Sequence, residues 1–247
     1  MIFKDFNEII KESKKDKDIL GLFLGGSRAK SEEFVKPDSD YDIYLIVKDS
    51  VAKKYKKDAE KHSDSKFEFI VKSMKEFKSE KIKDWERYSY RHVKVIIDKN
   101  KQIQKIVNKK AIIPKEERKK FISGHLDSYI NYVLRSLKCH RDNNHLASIL
   151  EAQRSIEPLL SIIFALDDGK SLPYYKYLEW ELLNYPIKKL PLYGEHLLEL
   201  IKNITVHGDI KSQQELFELI EMIFRKEGYG GVYESWKWKI SWIRMYK

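Results

Sequence analysis

The sequence has one cysteine, Cys139, among its 247 residues, so no disulfide can form within the chain. This favours a reducing compartment. No apolar run approaches the roughly 20 residues that a membrane-spanning helix needs. The first twenty residues alternate charged positions with short apolar patches, a pattern unlike that of a signal peptide. We therefore expect a cytoplasmic protein with no membrane contact.

Basic residues outnumber acidic ones, which gives a net charge of +10 and a pI near 9.3. Such a balance suits an anionic partner, either a nucleoside triphosphate or a nucleic acid. The lysines are spread along the chain, however, and no basic block resembles a nucleic-acid-binding tail. A lysine-rich solvated surface explains most of them equally well. Nucleic acid is therefore not the favoured partner.

Two neighbouring segments carry the chemistry. In the first, residues 22–30, an apolar strand leads into the turn Gly25-Gly26-Ser27. In the second, residues 37–47, Asp40 and Asp42 lie at the start of an apolar strand. Residues at i and i+2 of a strand point to the same face. Two carboxylates on one face repel each other unless a cation lies between them. Mg²⁺ suits this position because it prefers oxygen ligands and is held by one or two carboxylates together with substrate phosphates.

The glycine turn predicts the other half of the site. Glycine lets the backbone approach a ligand closely, and N–H groups at a helix start favour phosphate. We therefore predict nucleotide contacts at Gly25, Gly26 and Ser27. The alternative for Ser27 is a structural role as the N-cap of the helix that follows.

These two motifs resemble the nucleotidyltransferase superfamily to which DNA polymerase β belongs, although the spacer between Gly26-Ser27 and Asp40-Tyr-Asp42 is slightly long. Within it, residues 66–71 are similar to the strand that carries the third carboxylate in the aminoglycoside and lincosamide nucleotidyltransferases. The resemblance implies an enzyme that transfers a nucleoside monophosphate from a nucleoside triphosphate, expected to be ATP, to a hydroxyl group. It further implies that Asp40 and Asp42 hold Mg²⁺, that the acceptor is a small molecule such as an antibiotic, and that the role is antibiotic resistance.

Periodicity predicts an α+β fold with a small mixed sheet first and an all-α helical bundle after it. We expect a nucleotidyltransferase-type α/β domain over residues 1–110 and a helical domain over 111–247. The predicted strands cover residues 19–24, 42–47, 66–72 and 93–97. The predicted helices cover residues 2–18, 51–62 and 74–84, a segment starting at Pro114, residues 146–166, 197–204 and 213–227, and a final tryptophan-rich helix.

Glu68 is the candidate for a third catalytic carboxylate. It lies between Phe67 and Phe69 in an apolar strand, so its side chain faces away from theirs. Facing the aspartate pair, it would accept a proton from the acceptor hydroxyl, bind the metal, or do both. The alternatives are that Glu68 is an ordinary edge-strand residue and that Asp98 supplies the third carboxylate. A turn role is favoured for Asp98.

Basic side chains provide further candidates for nucleotide binding. Arg28 follows the glycine turn, while Arg135, Lys138 and Arg141 are spaced to share roughly one face of a later helix. We predict phosphate contacts from Arg28, Arg135 and Lys138. For the later helix, a solvated basic face is an equally good explanation.

Alternative functions remain open from the sequence. Arg135 and His140 fit the short Arg-x4-His pattern of ribonuclease-type helical domains that accompany minimal nucleotidyltransferases, as in toxin–antitoxin systems. The acceptor could also be a protein or an RNA end, or the chain could bind nucleotides without catalysis. His140 and His145, five residues apart, do not make a convincing zinc pair, and Cys139 lacks the partners of a metal site.

Overall fold

The computed structural model describes residues 5–191 and 193–247. The chain divides into two compact units between Ile112 and Ile113. All described strands belong to the first unit, and the second is helical. The predicted α+β fold, a small mixed sheet followed by long helices, is confirmed. Ile2 and Phe3, which belong to the predicted opening helix, lie outside the described residues.

The regular elements of the first unit are α1 (Phe6–Lys15), β1 (Ile19–Leu24), α2 (Gly26–Lys30), β2 (Tyr41–Val47), α3 (Ala52–His62), β3 (Phe67–Ser73), α4 (Met74–Ser79), β4 (Lys94–Asp98) and α5 (Ile103–Lys110). The described strands form one sheet in the order β3-β2-β1-β4. Strand β1 is antiparallel to both β2 and β4, whereas β2 and β3 are parallel. The parallel pair is possible because α3 provides the long return connection that parallel strands need.

Apolar residues cover both faces of this sheet. On one face, Ile43 and Leu45 of β2 pack with Ile9 of α1 in a buried cluster. On the other face, Phe23 of β1 packs with Phe77 of α4 in a second cluster. Strand residues that alternate between two buried faces explain why the strand boundaries can be predicted closely from the apolar pattern.

Helix α4 is shorter than predicted. It begins with a capping box, in which Ser73 and Glu76 bond reciprocally to each other's backbone, but it ends at Ser79 instead of residue 84. Glu80 leaves the helical conformation, with φ of −59° and ψ of 124°, and its carboxylate is held by Lys72 at 2.5 Å and by Lys110 at 3.3 Å. A short 3-10 stretch, Asp84–Tyr90, follows instead of the predicted helix.

The helices of the second unit are α6 (Lys115–Arg141), α7 (His145–Leu166), α8 (Leu178–Asn184), α9 (Gly194–His207), α10 (Ile210–Phe224), α11 (Gly230–Ser235) and α12 (Trp238–Met245). A short turn connects α6 and α7, which pack together as a helical hairpin around a large apolar core. Phe217 of α10 is fully buried in this core, with its ring centre 6.1 Å from that of Tyr129.

A buried carboxylate connects the last helix to this core. Glu221 of α10 accepts hydrogen bonds from Arg244 of α12 at 2.6 and 2.9 Å and from Arg225 at 2.7 Å. Two guanidinium groups therefore satisfy a carboxylate that would be costly to bury alone. Within the described part of the chain, none of the helices combines the length and the apolar character that crossing a membrane requires.

Candidate functional site

The pairing of β2 with β3 places two acidic side chains next to each other. In this parallel ladder Asp42 is the direct partner of Glu68. The flanking pair, Tyr41 and Phe67, packs against the cluster on the opposite face of the sheet. Because successive strand residues alternate between faces, Asp42 and Glu68 project together from the other face.

Asp40 completes an acidic cluster with these two residues. It lies immediately before β2, and one carboxylate oxygen from each of Asp40, Asp42 and Glu68 lies within 4.8 Å of the others. Asp40 and Asp42 are half-buried and Glu68 is exposed, so the cluster opens to solvent on one side. The structure thus brings together the three carboxylates that the sequence analysis selected.

The cluster has the donor chemistry of a divalent-cation site. Three carboxylates this close repel one another, and a cation between them relieves the repulsion. Carboxylate oxygens are the ligands that Mg²⁺ takes from proteins, and the exposed side leaves room for water or phosphate oxygens. The residues present therefore fit a Mg²⁺ ion.

The glycine turn between β1 and α2 lies directly against Asp42. The Gly25 N–H donates to the main-chain oxygen of Asp42 at 2.8 Å. Gly26 has φ of +60°, and a Cβ atom added to it would lie 1.7 Å from Oδ2 of Asp42. Position 26 therefore requires glycine for two reasons, the left-handed backbone and the contact with the carboxylate.

Ser27 does not cap the helix that follows the turn. The N-cap of α2 is Gly25, which has no side chain to accept a hydrogen bond, and Ser27 is the second residue of the helix. The structural alternative for Ser27 is therefore wrong. The side chain of Ser27 is half-buried, and the preceding residue, Gly26, lies against the Asp42 carboxylate.

Arg28 holds the backbone segment that carries Asp40. Its Nε donates to the main-chain oxygens of Ser39 at 3.1 Å and Asp40 at 3.0 Å, and its Nη2 donates to Ser39 at 2.7 Å. The guanidinium carbon also lies 4.1 Å from the ring centre of Tyr41. These contacts fix the backbone on which Asp40 sits, so Arg28 positions that carboxylate. Its predicted contact with a phosphate stays a prediction.

The positioning role of Arg28 was missed in the sequence. An arginine after a glycine turn indicates an anion in the first instance, and its carbonyl partners lie eleven and twelve residues further along the chain. The nearby Tyr41 provides a weak signal, because arginine often stacks on an aromatic ring. Nothing in the spacing of these residues identifies Ser39 as a partner.

Arg135 and Lys138 belong to α6, in the second unit. Arg135 pairs with Glu151 of α7 at 2.5 Å. Arg141 pairs with its neighbour Asp142 at 2.8 Å. Two of the three basic residues on the predicted face thus already have carboxylate partners. Nucleotide binding by Arg135 and Lys138 stays a prediction.

Asp98 is engaged in capping and does not join the acidic cluster. At the end of β4, its two carboxylate oxygens accept from the N–H groups of Gln102 at 2.9 Å and Gln104 at 3.1 Å. These bonds satisfy free backbone donors at the start of α5, as a capping side chain does. Asp98 therefore has the turn role that its sequence position favours.

Neither protein-family models nor curated proteins give a match to this chain. Among solved structures, it is similar to a nucleotidyltransferase-like protein from Exiguobacterium sibiricum 255-15, solved at 1.90 Å resolution. The two share 11% sequence identity, with a TM-score of 0.38, and the likeness covers 89% of this chain and 78% of that one. A likeness of this degree carries no argument about activity. The proposed function rests instead on the residues of the site and on the sequence motifs to which they belong.

Replacing Gly26 by alanine should disrupt the acidic cluster. The new Cβ would displace the carboxylate of Asp42, and alanine in the left-handed conformation costs roughly 1–2 kcal/mol. We expect weaker binding of Mn²⁺, used as a probe for Mg²⁺, in calorimetry and a lower midpoint of urea unfolding. Gly228→Ala is the matched control, because Gly228 also has a left-handed backbone, with φ of +90°, but no atom beyond the local backbone lies within 4 Å of an added Cβ. It should lose stability and keep Mn²⁺ binding. If Gly26→Ala matches wild type in both measurements, the contact between Gly26 and Asp42 does not shape the site.

Proposed function

We propose that this chain is a Mg²⁺-dependent nucleotidyltransferase. The observation that carries the proposal is the cluster of Asp40, Asp42 and Glu68, with ligand oxygens within 4.8 Å of one another, built against a glycine turn. A cation-binding cluster beside a glycine turn, where the backbone can approach a ligand closely, suits a substrate carrying several phosphates. The resemblance of the two motifs to the nucleotidyltransferase superfamily supports the same reaction.

The residues have distinct roles in the proposed reaction. Asp40 and Asp42 would hold the divalent cation, and the turn Gly25-Gly26-Ser27 would cradle the triphosphate. Bound Mg²⁺ supplies charge neutralisation for the attacking and leaving oxygens. Glu68 takes the proton of the acceptor hydroxyl as its oxygen attacks the α-phosphorus. The bond from the α-phosphorus to the bridging oxygen breaks, and pyrophosphate leaves with that oxygen.

The acceptor that we propose is the hydroxyl group of a small molecule, of the aminoglycoside or lincosamide kind. This choice is supported by the resemblance of residues 66–71 to the corresponding strand of those enzymes. ATP is the proposed nucleotide donor. Incubation with each labelled triphosphate and Mg²⁺ against a panel of small molecules, proteins and RNA, with mass spectrometry of the products, tests both choices.

The ribonuclease-type alternative receives no support from the side chains on which it depends. Arg135 is paired with Glu151, while Nδ1 of His140 lies 2.8 Å from the hydroxyl of Tyr246. The two residues of the Arg-x4-His pattern thus have separate partners. We do not adopt that alternative as a second function.

Asp40→Asn and Asp42→Asn should each abolish Mg²⁺-dependent transfer and leave the fold intact. A neutral amide keeps the size of the side chain but removes the charge that holds a divalent cation. Transfer rates are measured with the nucleotide and acceptor found in the screen, and circular dichroism monitors folding. Asp38→Asn is the control, because Asp38 is exposed and precedes the strand. Activity within about tenfold of wild type, roughly 1.4 kcal/mol of barrier, would contradict the proposal.

Glu68→Gln should separate proton transfer from metal binding. The variant preserves size and removes basicity, so we expect turnover to fall by roughly 10²–10⁴-fold while triphosphate affinity changes little. Single-turnover rates and triphosphate calorimetry provide the two readouts, with the exposed Glu60→Gln as control. Loss of triphosphate binding would instead make Glu68 a metal ligand. Full turnover would make it an ordinary edge-strand residue.

A further inference from the structure

A polar pocket lies in the helical unit, at the ends of several helices. It has a volume of about 440 Å³, which is within the range of small-molecule sites. His140 reaches it from the last turn of α6, His145 from the start of α7, and His207 from the end of α9. Lys211, in the first turn of α10, adds an ammonium group.

The backbone at the end of α9 helps to assemble this pocket. Gly208 follows His207 with φ of +62°, and it reverses the chain so that α10 begins two residues later. A Cβ atom on Gly208 would lie 3.0 Å from a side-chain carbon of Ile149 in α7. The close approach of α7 to this turn brings His145 and His207 to the same pocket.

One of the histidines is held in a defined position. Nδ1 of His140 is 2.8 Å from the hydroxyl of Tyr246, and the ring centres of His140 and His145 are 5.7 Å apart in an edge-to-face arrangement. The bond to Tyr246 occupies one ring nitrogen of His140 and leaves Nε2 for a ligand. The His140 ring is therefore fixed in orientation, whereas His145 and His207 are exposed to solvent.

Two of the acceptors that line the pocket have donors within the chain. One oxygen of the Asp209 carboxylate accepts from the Ser212 N–H at 2.7 Å as the N-cap of α10. The hydroxyl of Ser148 donates to the main-chain oxygen of Ser136 at 3.0 Å. The imidazole and ammonium groups at the pocket outnumber its one carboxylate, a balance that suits a compact oxyanion.

We propose that this pocket binds a phosphate group, either free or carried by a small molecule. A tetrahedral phosphate can accept hydrogen bonds from several directions. It can therefore bond at the same time to side chains of α6, α7, α9 and α10. All of its lining residues belong to the helical unit, and none of them belongs to the acidic cluster.

A transition metal is the obvious competitor for three histidines, and the geometry opposes it. In residues 5–191 and 193–247, the acidic cluster is the only group of three or more His, Cys, Asp or Glu residues whose ligand atoms all lie within 4.8 Å of one another. The histidines of the pocket are too widely spaced to share one metal ion as they stand.

Phosphate and a metal ion use the imidazoles differently. Phosphate accepts hydrogen bonds from ring N–H groups, whereas a metal ion needs the lone pair of a deprotonated ring nitrogen. Titrating each ligand separately against the same three histidines therefore distinguishes them.

The test is a titration of the full chain with inorganic phosphate, without divalent cations, followed by NMR of the histidine side chains. We expect saturable shifts of His140, His145 and His207 at constant pH. His145→Gln and His207→Gln should each weaken binding about tenfold, the effect of losing a charge-assisted hydrogen bond. His196→Gln is the control, because His196 bonds to Glu215 at 2.8 Å and does not line the pocket.

A parallel titration with AMP identifies the source of the phosphate. Equal affinity for AMP and phosphate supports a site that recognises the phosphate alone, and tighter binding of AMP supports a nucleotide site. The proposal is overturned if phosphate produces no saturable shift, or if the shifts are equal at all histidines. Saturable binding of Zn²⁺ that shifts the same three histidines, with no response to phosphate, would also overturn it.

Discussion

Repulsion among three neighbouring carboxylates is the constraint on which the proposed site depends. The parallel register of β2 and β3 makes Asp42 and Glu68 direct partners, and Asp40 lies just before β2 on the same side. Cross-strand neighbours of like charge destabilise a sheet. A cation bound between the three carboxylates would remove this repulsion. The apolar residues on either side of Asp42 and Glu68 fix the register, because a shift by one residue would turn those apolar side chains out of the core.

The surrounding residues hold this unfavourable arrangement in place. Gly26 lets the turn approach the Asp42 carboxylate more closely than any side chain allows, and Gly25 bonds to the Asp42 backbone. Arg28 fixes the carbonyls of Ser39 and Asp40 and stacks on Tyr41. The glycine motif and the aspartate motif are therefore one structural unit, in which the turn after β1 positions the carboxylates of β2.

The sequence predicts the local parts of this unit well and the long-range parts poorly. The apolar alternation around Ile43 and Phe67 is a local signal, and the strands lie within a residue or so of their predicted bounds. The parallel pairing of β2 with β3 and the carbonyl partners of Arg28 depend on tertiary contacts, which no local pattern encodes. The same limit applies at α4, where the bonds of Glu80 with Lys72 and Lys110 accompany the end of the helix. The error at Ser27 is local, because the N-cap of α2 lies two residues earlier, at Gly25.

The most direct test of the account is a crystal structure of the chain grown with Mn²⁺ and a non-hydrolysable nucleoside triphosphate. Anomalous scattering locates the manganese without reference to any assumed chemistry. We predict a manganese ion bound by oxygens of Asp40 and Asp42, with the phosphates of the nucleotide on its open side and the turn at Gly26 beside them. Manganese and nucleotide bound elsewhere, with these carboxylates making no contact to either, would contradict the central claim.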